Sequence, residues 1–130
     1  MPDVLAVIAK LQFEMAIVRL TADPGSPQPG AVGFVDLVDS TKRTRQLGEE
    51  RMAEAVTRFE EWSVEQSVLH GGRVIKYIGD EVMFRAPDLR AAAAIATRLV
   101  QLVDADPDLG TARAGVAAGA LLARDGDWYG

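Results

Sequence analysis

The chain has 130 residues, 48% of them hydrophobic and 25% charged, with a formal net charge of -5 and no cysteine. That length suits a single domain with one core, while the acidic balance argues against a nucleic-acid or anionic-membrane surface. Without cysteine there is no disulfide framework, thiolate nucleophile or cysteine zinc site.

Residues 4 to 20 read as a helix, with Val4, Ile8, Leu11, Met15 and Val18 forming an apolar stripe. Lys10, Gln12, Glu14 and Arg19 interrupt that stripe, so it is too polar to span a bilayer, and it lacks the charge layout of a secretory signal. A cytoplasmic location is the default expectation. The segment TADPGSPQPG, residues 21 to 30, breaks the helix with three prolines and two glycines. The expected division is therefore 1–30, an N-terminal helix and Pro/Gly linker, and 31–130, the main domain.

AVGFVDLV, residues 31 to 38, reads as a strand, and Ser40 and Thr41 are candidate helix N-caps after it. From Glu49 to Leu69 the spacing of Met52, Val56, Phe59, Trp62 and Leu69 predicts one apolar helical face, ended by Gly71 and Gly72. RVIKYI and EVMF flank a tight turn at Gly79 and Asp80, a hairpin signature. Asp88 caps a further predicted helix packed through Ile95, Leu99, Leu102 and Val103, which stops at the Asp-Pro-Asp cluster around Pro107. TARAGVAAGALLAR forms the last long strand and turns at Asp125 and Gly126 into a short C-terminal run, giving a hairpin. The order of elements predicts an α+β sandwich of the ferredoxin-like βαββαβ kind. In that topology the first and third strands are central, adjacent and antiparallel.

Two aspartates stand out against this frame. Asp36, in GFVDLVDST, and Asp80, in KYIGDE, each lie where an apolar strand breaks into a polar turn, and the topology sets them side by side. Either alone reads as an ordinary cap or turn residue. Together, two close carboxylates raise one another's pKa unless cations sit between them, and such pairs hold hard divalent ions for phosphoryl or nucleotidyl transfer. His70, before two glycines, reads as a helix C-terminal residue near the dipole's negative end, and Phe59 and Trp62 read as core. Glu81 follows Asp80 and on strand alternation points to the opposite face.

FVDLVDST, the 44-residue separation of the two aspartates, the KYIGDE hairpin, the RAGVAAG strand and the terminal GDWYG, in this order, resemble the class III nucleotidyl cyclases, the adenylyl and guanylyl cyclase catalytic domains. The resemblance covers residues 31 to 130, is of bacterial adenylyl cyclase type, and implies the corresponding palm fold. It implies that Asp36 and Asp80 bind two Mg2+ or Mn2+ ions, assisted by the Leu37 carbonyl. Backbone amides of Leu37, Val38, Asp39, Ser40 and Thr41 would cradle the β and γ phosphates at a helix start, and Arg113 matches the family's phosphate-binding arginine. Lys76 and Asp127 match the pair that reads the purine: lysine can donate to adenine N1 and aspartate can accept from N6, which favours ATP over GTP. Lys76 lies four residues before Asp80 across one hairpin, so base and metal sites are expected from two chains in a head-to-tail homodimer.

Two departures qualify that resemblance. Many family members carry glycine where this chain has Asp39, whose extra carboxylate is unfavourable beside a triphosphate; helix capping is its ordinary role. Relatives also continue past the Gly130 position with a helix bearing an asparagine and an arginine that stabilise the transition state, so weak turnover or none is expected of these 130 residues. The alternative is a non-catalytic nucleotide-binding or dimerisation module of the same fold. A GGDEF-type diguanylate cyclase fits less well, because IGDEV lacks that motif's second glycine and its phenylalanine.

Overall fold

The computed structural model describes residues 5–9, 14–19, 28–124 and 127–129, with side-chain surroundings for residues 30–118. Its elements run β1 (Leu5–Ala9), β2 (Glu14–Arg19), β3 (Gln28–Val38), α1 (Ser40–Leu47), α2 (Glu49–Leu69), β4 (Arg73–Ile78), β5 (Glu81–Ala86), α3 (Leu89–Ala105), β6 (Thr111–Arg124) and β7 (Asp127–Tyr129). The sheet order is β1-β2-β6-β3-β5-β4, with β7 pairing β6. Its central strands, β6-β3-β5-β4, pair antiparallel throughout, the βαββαβ arrangement expected of the sequence. The expected C-terminal hairpin is present as the antiparallel β6–β7 pair, although its turn at 125–126 lies outside the described residues.

The N-terminal expectation is corrected. Instead of a helix over residues 4 to 20, LAVIA and EMAIVR form two strands, with β1 antiparallel to β2 and β2 parallel to β6. Short apolar runs rich in Val and Ile do not distinguish strand from buried helix by period alone. The edge of β6 decides between them, because Ala114 to Ala118 offer ladder partners to Met15 to Arg19. Strand β3 also starts at Gln28, so the last three residues of the expected linker belong to the sheet. Residues 21–27 lie outside the described residues.

Alternation then sorts the sheet's two faces. Val35 and Leu37 of β3, Val82 and Phe84 of β5, and Ala112, Ala114 and Val116 of β6 are buried on one face. Phe59 and Met52 of α2 and Ile95, Leu99 and Val103 of α3 pack there with them. Burying each large side chain contributes about 1.5–3 kcal/mol. The other face carries no helix among the described residues, and it presents Phe34, Asp36, Glu81 and Arg113. Two glycines admit phenyl rings: a Cβ at Gly33 would lie 2.9 Å from Phe84 Cε1, and one at Gly115 would lie 2.9 Å from Phe34 Cζ.

Local chemistry sets where the helices end. Gly48, at φ 92, separates α1 from α2, so the single predicted helix region is two helices. Helix α2 closes in a Schellman arrangement: Gly72 N–H donates to Ser67 O at 2.8 Å, Gly71 N–H donates to Val68 O at 3.1 Å, and Gly71 is left-handed at φ 78. His70 stands at the C-cap, as expected. The Asp88 carboxylate caps α3 by accepting from Ala91 N–H at 2.7 Å. Past α3, Arg58 of α2 grips Asp106 through two bonds of 3.0 and 3.1 Å, and Arg51 pairs with Asp108 at 2.8 Å. Burial pushes the Asp106 carboxyl up, but the bonds from Arg58 and from the Asp108 and Leu109 amides outweigh it and hold its pKa below the usual range.

Among the described residues, the core holds a hydroxyl that is not satisfied. Ser67 of α2 is fully buried and its hydroxyl has no hydrogen-bond partner, whereas Ser63 donates to Phe59 O at 2.7 Å. Ser67→Ala removes that unmet group and adds a better helix former, so a gain of about 1 kcal/mol is expected. Urea unfolding of the two proteins measures it; a loss of stability would show that the hydroxyl is satisfied.

Candidate functional site

Asp36 lies two residues before the end of β3, on the face away from the helices. Its cross-strand neighbours are Glu81 on β5 and Arg113 on β6, so three charged side chains form one row across three strands. The two-residue turn at Gly79 and Asp80 brings Asp80 against the end of β3, where Leu37 N–H donates to Asp80 O at 3.3 Å. The Asp36 carboxyl is within hydrogen-bonding reach of the Asp80 carboxyl. The two aspartates that sequence reasoning paired thus meet in space.

Their environment is electrostatically unfavourable as it stands. Burial, then the charge of Asp80 and a bond with it, raises the Asp36 pKa, and the Arg113 guanidinium opposes the rise. Arg113 Nη2 lies 3.8 Å from Asp36 Oδ2, a loose contact at an arginine 61% exposed. Glu81 is raised too, by burial and then by the charges of Asp36 and Asp80. Alternation sets Glu81 apart from Asp80, and the register places it opposite Asp36; only the strand pairing, not the local pattern, carries that second signal. Among the described residues no group of three or more acidic, histidine or cysteine side chains converges on one point, so the close donor pair is Asp36 and Asp80. Two hard carboxylates pressed together against their mutual repulsion fit a divalent cation.

The turn after β3 differs from expectation in two ways. Asp39 occupies the N-cap position of α1, the place its ordinary role predicts, in preference to Ser40 or Thr41, but its side chain makes no capping bond. It is left-handed, at φ 57 and ψ 34, a conformation that costs a non-glycine residue about 1 kcal/mol. Glycine at this point would relieve both strain and charge. Ser40 instead donates its hydroxyl to Asp80 Oδ2, so it ties α1 to the β4–β5 hairpin. The backbone from Val38 to Thr41 therefore bends through a left-handed residue into a helix start, the type of turn whose amides collect anionic oxygens.

The remaining predicted residues lie apart. Lys76 is on β4, level with Met83 of β5 and past a register irregularity between Val74 and Lys76. It is two strands from β3, roughly 10 Å across the sheet. Asp127 lies on β7, opposite Arg124 of β6, and its side chain is outside the described residues. The structure does not bring Lys76 and Asp127 to the Asp36–Asp80 pair. Phe59 is core and Trp62 packs against it, both as expected. No helix among the described residues is long and apolar enough to cross a membrane.

Known proteins place this arrangement among relatives. No family model matches the sequence. A Streptomyces coelicolor protein named adenylate cyclase is 42% identical over 100 residues, covering 77% of this chain and 26% of that protein. One from Glutamicibacter nicotianae is 42% identical over 110 residues, covering 83% and 27%. A pH-sensitive adenylate cyclase of Mycobacterium tuberculosis is 34% identical over 110 residues, covering 82% and 28%. The chain thus spans about a quarter of the length of the curated relatives it matches. Among solved structures, adenylate cyclases of Trypanosoma brucei in their monomeric state match with a TM-score of 0.66 at 17% identity, over 84% of this chain and 67% of that one. The adenylyl cyclase CyaB of P. aeruginosa matches at 0.61 and 16%, over 79% and 64%. A non-canonical dimeric guanylyl cyclase domain from Blastocladiella emersonii matches at 0.64 and 16%, over 78% and 65%.

Proposed function

From the premise that this chain belongs to the class III nucleotidyl cyclase family, we propose that it is the substrate-binding part of an adenylyl cyclase, converting ATP to 3′,5′-cyclic AMP and pyrophosphate in the cytoplasm. One observation carries the reading: Asp36 and Asp80 meet at the end of an antiparallel strand pair, beside the left-handed turn that opens α1 and opposite Arg113. Two Mg2+ or Mn2+ ions held by Asp36, Asp80 and the Leu37 carbonyl would lower the pKa of the ribose 3′-hydroxyl and neutralise charge as pyrophosphate leaves.

The chain's own groups do the rest. Asp36 and Asp80 supply anionic oxygens on a rigid strand end and hairpin tip. The amides of Val38 to Thr41 receive the β and γ phosphates, and the exposed Arg113 guanidinium turns from Asp36 to a phosphate oxygen. The ribose 3′-oxygen attacks the α-phosphorus, the bond to the bridging oxygen breaks, and the released proton passes to solvent. Lys76 and Asp127 would read the adenine N1 and N6 of a nucleotide whose metals sit on a second copy, in a head-to-tail pair.

The test is product analysis of the purified chain, and of a longer version continuing past Gly130, with ATP and Mn2+. Cyclic AMP that forms with ATP, falls sharply with GTP and vanishes with chelator is the expected result for the longer chain. Thermal stabilisation by ATP with no cyclic product at either length would replace the cyclase by a nucleotide-binding module.

A further inference from the structure

Helix α1 is held in an unusual way. None of its residues is buried, and of its apolar side chains only Leu47, at the far end, packs partly on the core. Eight residues are too few for a helix to stand alone in water. Its start must therefore be located by polar ties, and the structure shows them: Ser40 reaches Asp80, and Arg43 reaches the loop between α3 and β6.

Arg43 is placed to act on both sides of the site. Its backbone N–H donates to Asp39 O at 3.0 Å, closing the first turn of α1 on the left-handed residue. Its guanidinium donates to Pro107 O at 2.7 Å and Asp108 O at 3.1 Å, more than sixty residues along the chain. A Cβ at Gly110 would lie 3.3 Å from Arg43 Nε, so glycine there lets the guanidinium lie against the loop. Arg51 and Arg58 anchor that loop from α2 through Asp106 and Asp108. Three residues past Gly110 comes Arg113.

We propose that Arg43 is a positioning residue: it bolts the start of α1, with its backbone amides, to the loop that launches β6, and so sets the spacing between the amide cradle and Arg113. The inference rests on the phosphate-binding role proposed above for those two groups. Asp36 and Asp80 are carried by β3 and the β4–β5 hairpin, which keep their own ladder bonds, and the Arg43 guanidinium bonds neither carboxylate; the link from α1 to Asp80 runs through Ser40 instead. Loss of Arg43 therefore loosens triphosphate binding and leaves the carboxylate pair in place.

The experiment compares wild type, Arg43→Gln, Arg43→Lys and Arg51→Gln. Mn2+ alone is titrated by electron paramagnetic resonance, ATP with Mn2+ by calorimetry, and thermal midpoints are recorded for each. Arg43→Gln is expected to bind Mn2+ alone within about twofold of wild type and ATP about tenfold more weakly, the scale on which small misplacements act. Arg43→Lys, which keeps a donor for one carbonyl, recovers part of the ATP affinity. Arg51→Gln cuts a tie to the same loop without touching α1, so it keeps wild-type ATP affinity whatever it does to the midpoint. Wild-type ATP affinity in Arg43→Gln, or an equal loss in Arg51→Gln, overturns the proposal. A wild type that binds neither Mn2+ nor ATP removes the functional reading beneath it.

Discussion

In the longer version, Asp36→Ala is expected to lower Mn2+-dependent cyclic AMP formation by at least about a hundredfold, since charge stabilisation by a bound metal is worth several kcal/mol. The same substitution should remove Mn2+ binding seen by electron paramagnetic resonance, because Asp80 alone is a poor chelate. A loss of activity by unfolding is distinguished by Asp36→Asn, which keeps the shape and deletes the charge. Burial and the neighbouring Asp80 both raise the Asp36 pKa, so its ionised form is disfavoured in the fold. A carboxylate raised in this way destabilises the fold increasingly as pH climbs from its unfolded value through its folded one, and is fully destabilising above both. In chelator at neutral pH, Asp36→Asn should therefore melt no lower than wild type while remaining inactive. Metal-dependent activity in Asp36→Ala within about tenfold of wild type would remove Asp36 from the metal role, and a marked fall in the Asp36→Asn midpoint would show that the ionised carboxylate does not strain the fold.

The second large effect concerns stability. Gly72→Ala would place a Cβ 3.0 Å from the carbonyl carbon of Arg85 and 3.1 Å from Ala86 Cα, atoms of the β5 backbone. A ring or flexible side chain could swing aside, but a strand held in its ladder cannot. Gly72 also donates to Ser67 O to close α2, so the chain cannot relax away from β5 without opening that motif. Overpacking against backbone of this kind costs about 3 kcal/mol, or about 10 °C in the midpoint of a domain this size. Calorimetric unfolding of Gly72→Ala measures it, and a shift of under two degrees would show that the approach is looser than described.

Much of this architecture is legible in the residues. The β3 alternation, the Gly79–Asp80 turn, the Asp88 cap and the two glycines after α2 each report a local backbone requirement, and local requirements survive without tertiary information. The pairing of Asp36 with Asp80 followed from topology alone. Elsewhere the deciding partner is distant in sequence. LAVIA and EMAIVR become strands because β6 has an edge to offer them, and Ser40 leaves its capping role because Asp80, forty residues on, accepts its hydroxyl. Glu81 joins the carboxylate row through register, which no single strand's pattern contains. The arginine grip on the 106–110 loop also depends on distant partners, and the sequence carries only a trace of it: Arg51 and Arg58 stand seven residues apart, two turns along one face of α2, and a DPD cluster awaits partners downstream.

The two phenyl rings seated on glycines have a further consequence. Gly33 pairs with Phe84 across β3 and β5, and Phe34 pairs with Gly115 across β3 and β6, one ring on each face of the sheet. A strand displaced by one residue sends every side chain to the other face. Displacing β3 in that way would carry Asp36 into the helix layer and drive each ring against a residue with a Cβ. The two contacts act as pins on adjacent rungs, set from opposite faces, that admit one alignment of β3 with its neighbours. Asp36 sits two residues beyond the nearer pin, so the meeting of its carboxyl with that of Asp80 is enforced by apolar complementarity and not by the charges themselves.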